Sequence, residues 1–126
     1  MMETILYKRE VFKIVGICME VHNYLGHGFL EIVYKDAMEI EFLSNQIIFT
    51  REKEFNIVYK GHILKRTFNA DFFTMDKIIV EVKSSKEGLT NGNVAQSINY
   101  LKVSGCQLAL LVNFGRNSLE YKRLVF

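Results

Sequence analysis

The hydrophobic period of this chain changes partway along, and the change limits what it can fold into. Up to Ser44 apolar residues recur at the spacing of helices, about 3.6 residues; from Ile47 they follow strand patterns. Val11, Ile14, Val15, Cys18, His22 and Leu25 form one stripe, and Gly26 follows where a helix-terminating glycine belongs. A second helix is expected after Gly28, with Leu30, Val33, Ala37 and Ile40 on its apolar face, fading near Ser44 and Asn45. The short Gly26-His27-Gly28 link forces a hairpin or sharp corner between the two. Strands are expected over Ile47–Tyr59, Ile63–Phe73 and Lys77–Lys83, separated by turns at Lys60-Gly61-His62 and Thr74-Met75-Asp76. A helix over Asn93–Ser104, closed by Gly105, and two strands, Gln107–Asn113 and Leu119–Phe126, complete the chain. The order α-α-β-β-β-α-β-β predicts an α/β (α+β) fold. Three antiparallel strands and a helical crossover make the central sheet mixed, with helices flanking it.

Composition narrows the class. A chain of 126 residues, 49% apolar, is sized for a single domain over 1–126. Ten phenylalanines and six tyrosines argue against disorder, are expected mostly in strands, and there should be core. No apolar run approaches the ~18 residues of a membrane span. Met1–Arg9 lacks an apolar signal core, and Cys18 and Cys106 sit far apart in apolar settings as reduced thiols do. A cytoplasmic location is therefore expected. The net charge of +2 hides an asymmetry. Residues before Lys60 carry six Lys/Arg against nine Asp/Glu, and the remainder ten against five. That basic second half is either a solvated surface or one that meets an anionic partner.

Ile78–Lys83 is the segment that points to chemistry. Alternation puts Ile79, Glu81 and Lys83 on one face and Ile78, Val80 and Val82 on the other. One explanation is a strand with a wet face. The other brings in Asp71, one strand earlier, which hairpin pairing places near Glu81. Two adjacent carboxylates repel unless a cation or proton lies between them. Mg²⁺, which uses one or two carboxylates and keeps several waters, is the natural cation, and Mn²⁺ is expected to substitute. Lys83 beside such a metal would orient a water or stabilise charge on a phosphate. Glu31 falls near the third position of helix two, where capping alone explains a carboxylate. Gln96 and Tyr100, one turn apart opposite the Val94, Ile98 and Leu101 stripe, face either solvent or the strand-borne acids. His22, one turn after Cys18, reads as a buried hydrogen-bonding residue or as a site residue directed at Glu31. The pair lacks the further ligands that structural zinc requires.

Gly28-x-x-Glu31-x-x-Tyr34 resembles the signature of the small bacterial GxxExxY proteins of the PD-(D/E)XK nuclease superfamily, whose motifs are of RecB type. The resemblance runs from Ile14 to Phe126. It takes in Glu20-Val21-His22, Ala70-Asp71, Val80-Glu81-Val82-Lys83, Gln96-x-x-x-Tyr100, Asn113-Phe114-Gly115 and Ser118 to Arg123. It departs at His27, where relatives often have proline, and at Ala70, which replaces the proline of the superfamily's name; the chain has no proline at all.

What the resemblance implies is a restriction-endonuclease-like core in which Asp71, Glu81 and Glu31 bind metal. Lys83 would assist the attacking water, with Glu31, Gln96 and Tyr100 completing the catalytic set. Two functions are then open. One is a Mg²⁺-dependent nuclease acting on nucleic acid, with DNA the expected substrate. The other is an inactive nuclease-fold module that binds nucleic acid or protein. A domain this small has no room for a separate recognition domain, so a homodimer or partner protein is expected to supply specificity.

Overall fold

The computed structural model describes residues 5–126; the first four residues of the Met1–Arg9 segment lie outside it. Helices α1 (Lys8–Leu25) and α2 (Glu31–Ser44) come first, followed by strands β1 (Phe49–Tyr59), β2 (His62–Thr74) and β3 (Ile78–Lys83). Helix α3 (Asn91–Ser104) then crosses to β4 (Leu108–Asn113), and β5 (Glu120–Val125) ends the order. The five strands lie side by side in chain order. β1–β2, β2–β3 and β4–β5 pair antiparallel, while β3 and β4, joined by the α3 crossover, pair parallel. This is the expected mixed sheet flanked by helices.

β3 and β4 form its centre, and both are apolar runs rather than alternating ones because both faces are covered. Under α1 and α2 the sheet contributes Ile78, Val80, Val82, Leu108, Leu110 and Val112, packed against Ile14, Cys18, Tyr34, Met38 and Phe42. The smaller core under α3 joins Ile79 and Ala109 to Leu101, Ala70 and Phe68. Each fully buried aliphatic side chain contributes roughly 1.5–3 kcal/mol, so the α1–α2 side supplies most of the stability.

α1 buries the stripe that its spacing predicts as far as His22, extended by Ile17 and Val21, and leaves Leu25 at its end half-buried. α2 does not. Its buried residues are Tyr34, Lys35, Met38 and Phe42, whereas Leu30 and Ile40 are exposed. Two apolar stripes compete on this helix, and the one carrying a tyrosine, a methionine and a phenylalanine buries more area. α2 also begins later than Gly28 predicts. Leu30 is its N-cap and Glu31 its first residue, with no side-chain cap. α3 begins earlier, because Thr90 and Asn93 form a reciprocal capping box. Not all aromatics are core: Phe12, Tyr24, Tyr59 and Phe126 are exposed. Cys18 is fully buried, and burial pushes its thiol up to about 12. Neither cysteine is in a disulfide. No helix among the described residues is long and apolar enough to cross a membrane.

Candidate metal and nucleic-acid site

The site forms where β2 parts from β3. Their ladder runs only through Phe72–Val80, Phe73–Ile79 and Thr74–Ile78. At the next position the Asp71 side chain replaces the backbone: its Oδ2 accepts the Val82 N–H at 2.7 Å. A kink in the β1–β2 ribbon aims it there. Phe49 and Phe72 pack under α1–α2, whereas Phe55, Phe68 and Ala70 pack on the α3 side. Phe49 and Phe55 are an even number of residues apart, as are Phe72 and Ala70, so simple alternation would keep each pair on one face. Glu52, with φ 55°, stands opposite Asp71 between the paired residues Arg51–Phe72 and Lys53–Ala70 and breaks the alternation.

Glu81 lies on the α3 side of β3, only 5% exposed. That overturns the wet-face explanation of this strand. Its Oε1 is buried without a hydrogen-bond partner. Burial pushes the Glu81 carboxyl up to about 9; the adjacent charge and hydrogen bonding of Asp71 add to the rise, and Lys83 opposes it. Alternation and hairpin pairing thus bring Asp71, Glu81 and Lys83 together.

Tyr100 of α3 faces the same acids. Burial, then the charges of Glu81 and Asp71, hold its phenol above the usual range, while hydrogen bonding to Gln96 one turn earlier works the other way. Its ring stacks on Phe68 at 4.1 Å between centroids. Gln96 itself is exposed at the rim. Of the two residues on the helix face read as solvent or site, Tyr100 turns toward the acids and Gln96 meets solvent, and α3 buries Ser97 and Leu101 while Val94 and Ile98 of the expected stripe are only half-buried.

Glu31 does not join the acids. It is exposed at the start of α2, and among the described residues it makes no hydrogen bond or ion pair and no three His, Cys, Asp or Glu side chains are close enough to hold a metal. The expected position near the third residue of the helix, with its capping role, also falls away. The other motif residues of this corner are structural. Tyr34 is fully buried, stacks on Phe114 at 4.5 Å and donates from its hydroxyl to the Gly26 carbonyl at 2.7 Å. Ser84, just past β3, donates to the Phe29 carbonyl at 2.7 Å and ties that corner to the site strand. His22 Nε2 donates to the Arg116 carbonyl at 2.8 Å, so its buried hydrogen bond is the reading that holds, and it is not directed at Glu31.

Lys35 has no counterpart in the sequence reading, and Asn113, quoted there within a motif, is given no role. Lys35, one turn beyond Glu31, extends its ammonium to Asp71 Oδ1 at 2.9 Å and also to Glu52. Burial alone would depress Lys35, but its bonds to Glu52 and Asp71 outweigh that and hold it above the ordinary lysine value. The available signal was a lysine on an otherwise apolar helix face. Asn113, across from Lys83 in the parallel ladder, is fully buried. Its Oδ1 accepts from the Ser85 and Gly115 N–H groups, and its Nδ2 donates to the Ser85 carbonyl and to Glu120. This network fixes the loop that leaves β3 after Lys83.

A pair of carboxylates, one buried with a free oxygen, beside an ammonium and a phenol, suits a hard divalent cation and a phosphate. The profile of the PD-(D/E)XK nuclease superfamily matches residues 8–124. The crystal structure of SSO0001 is similar over 94% of this chain and 59% of its own length, with a TM-score of 0.59 and 19% identity, a likeness of fold. No curated protein matches the sequence. With a profile that spans almost the whole chain and a solved fold of the same architecture, the chain belongs to the PD-(D/E)XK nuclease superfamily.

Proposed function

We propose that the chain is a metal-dependent nuclease of the GxxExxY type, with RecB-type motifs. In this reading it hydrolyses phosphodiester bonds in DNA. The observation that carries the reading is the buried, unpartnered Glu81 oxygen beside Asp71, with Lys83 on the same strand face. A carboxylate pair held this way loses stability unless something positive lies between its members, and hard oxygen donors fit Mg²⁺ or Mn²⁺. Asp71 and Glu81 would hold the ion. When bound, such an ion activates water and neutralises charge on the phosphate.

This chain's own residues do the rest. Lys83, on the same strand face as Glu81, would donate from its ammonium to a water or a phosphate oxygen and offset the phosphate's charge. Tyr100 keeps its proton, because burial and the two acids raise its phenol, and offers an O–H donor to a phosphate oxygen. Gln96 beside it orients that donor. Lys35 anchors one oxygen of Asp71, leaving the strand geometry fixed as substrate arrives. A homodimer or partner protein would supply specificity.

The test is cleavage of single-stranded, double-stranded and branched DNA with Mn²⁺. Wild type should cut at least one; Asp71→Ala and Lys83→Ala should not, while keeping the wild-type circular dichroism. No cleavage by wild type overturns the proposal. A second reading, an inactive module that binds nucleic acid or protein, draws on the Lys35–Asp71 ion pair and the absent third ligand. It predicts no Mn²⁺ binding.

A further inference from the structure

β2 does not stop at the site. From Asp71 back to His62 it runs on, paired only with β1, as a two-stranded ribbon beyond the edge of β3. Every residue from Val58 to Thr67 is exposed. Between Phe55 and Ala70 there is no carboxylate, while Lys60, Lys65 and Arg66 are cations. Val58, Tyr59 and Ile63 are each more than half exposed. An isolated ribbon with bare apolar and basic residues is marginal in stability and invites unwanted pairing, so its persistence calls for a partner. The charge names the partner's sign: three cations without a compensating acid suit a polyanion.

We infer that the β1–β2 ribbon is a nucleic-acid arm that enters the major groove of duplex DNA, with Lys60, Lys65 and Arg66 on phosphates. The inference rests on the nuclease reading above for the position of the scissile phosphate. A two-stranded ribbon matches the width of the B-form major groove. A register shift between Asn56 and Val58 takes up two residues of β2, so the ribbon advances by the eight residues of β1 from Glu52, opposite Asp71, to Lys60, and at roughly 3.3 Å each the tip stands about 26 Å from the acids. That is about eight base-pair steps of B-DNA, so the arm grips a little under one helical turn away from the cut. The exposed Tyr59 and Ile63 then meet sugars and thymine methyl groups in the groove. One strand thus links the reacting centre to the grip, and no separate domain is required for affinity.

The test is binding of a fluorescent 30-base-pair DNA duplex by anisotropy, in Ca²⁺ and without Mn²⁺, for wild type and a Lys60→Gln/Lys65→Gln/Arg66→Gln variant. All three side chains are exposed, so the fold should survive, and circular dichroism verifies it. The variant should bind about tenfold or more weakly, and the slope of log K against log salt should fall by roughly 0.9 per lost phosphate contact. An 8-base-pair duplex, too short to reach from the acids to the tip, or a single strand should show a smaller difference between the two proteins. Equal affinity and salt slope, no duplex binding by wild type, or an altered oligomeric state as the sole effect would each overturn the inference. Cleavage assayed separately in Mn²⁺ keeps the readings apart. If wild type cuts nothing but binds through these cations, the nuclease reading fails and the arm stands. If both proteins cut and bind alike, the arm fails and the nuclease reading stands.

Discussion

The two faces of β3 are built from the same six-residue strand, yet they do opposite things. Toward α1 and α2 it presents Ile78, Val80 and Val82, all fully buried in apolar surroundings. Toward α3 it presents Ile79, Glu81 and Lys83, where a carboxyl oxygen is buried without a partner. The first face stabilises the fold through area removed from water. The second costs stability, because a buried acid beside Asp71 is ionised only with difficulty. A strand that combines them uses one side as a rigid support for a charge arrangement that the other side could not hold by itself.

The comparison breaks most sharply on the apolar side. Phe72 is fully buried and meets Phe42 and Phe49 edge-on at 5.1 and 5.9 Å. Phe72→Ala should lower unfolding free energy by about 3–5 kcal/mol, measured by urea denaturation. On the charged side the losses should be functional instead. Lys83→Ala should reduce Mn²⁺-dependent cleavage by at least about 10²-fold in single-turnover assays, with the midpoint of unfolding little changed. Gly115 sharpens the link between strand and loop. A Cβ there would overlap the Ser85 backbone, so Gly115→Ala should cost roughly 1–3 kcal/mol and displace the loop after Lys83. Thermal unfolding and the cleavage rate should both report it.

Glu81 gives the smallest effect and the most informative sign. In the metal-free folded chain its carboxyl titrates at about 9 against an ordinary 4.5. Between those values the folded state keeps a proton that the unfolded chain has lost. Stability from this group is therefore full below about pH 4.5 and declines as pH rises toward 9. Glu81→Gln removes that decline and should make the metal-free protein more stable at pH 8, on the order of 1–3 kcal/mol. Denaturation in a chelator across pH 5–9 measures it. A variant less stable than wild type at pH 8 would mean that the acid is well accommodated without metal.

The apolar side was legible in the sequence because it depends on period alone. The strand order, the parallel crossover and the partition of Ile78–Lys83 between two faces all follow from alternation and turn signals. Asp71, Glu81 and Lys83 were legible as a group because hairpin pairing is arithmetic along the chain. α2 was not, since two stripes competed and the volumes of Tyr34, Met38 and Phe42 decided between them. Lys35 escaped for the same reason: it belongs to the face that spacing assigned to solvent. Glu31, drawn into the ligand set by resemblance, stands apart because its helix begins three residues past Gly28. The kink at Glu52, a left-handed residue that is not glycine, has no sequence signature, yet it directs Asp71 at Val82.

The most direct test of the account is a calorimetric Mn²⁺ titration at pH 7.5, repeated in buffers of different ionisation enthalpy. If the Asp71–Glu81 pair holds the ion, binding should release close to one proton in wild type, because the metal displaces the proton that burial keeps on Glu81. Asp71→Ala should abolish binding, and Glu81→Gln should weaken it and eliminate the proton release. No Mn²⁺ binding by wild type, or binding unchanged in Asp71→Ala, would contradict the account.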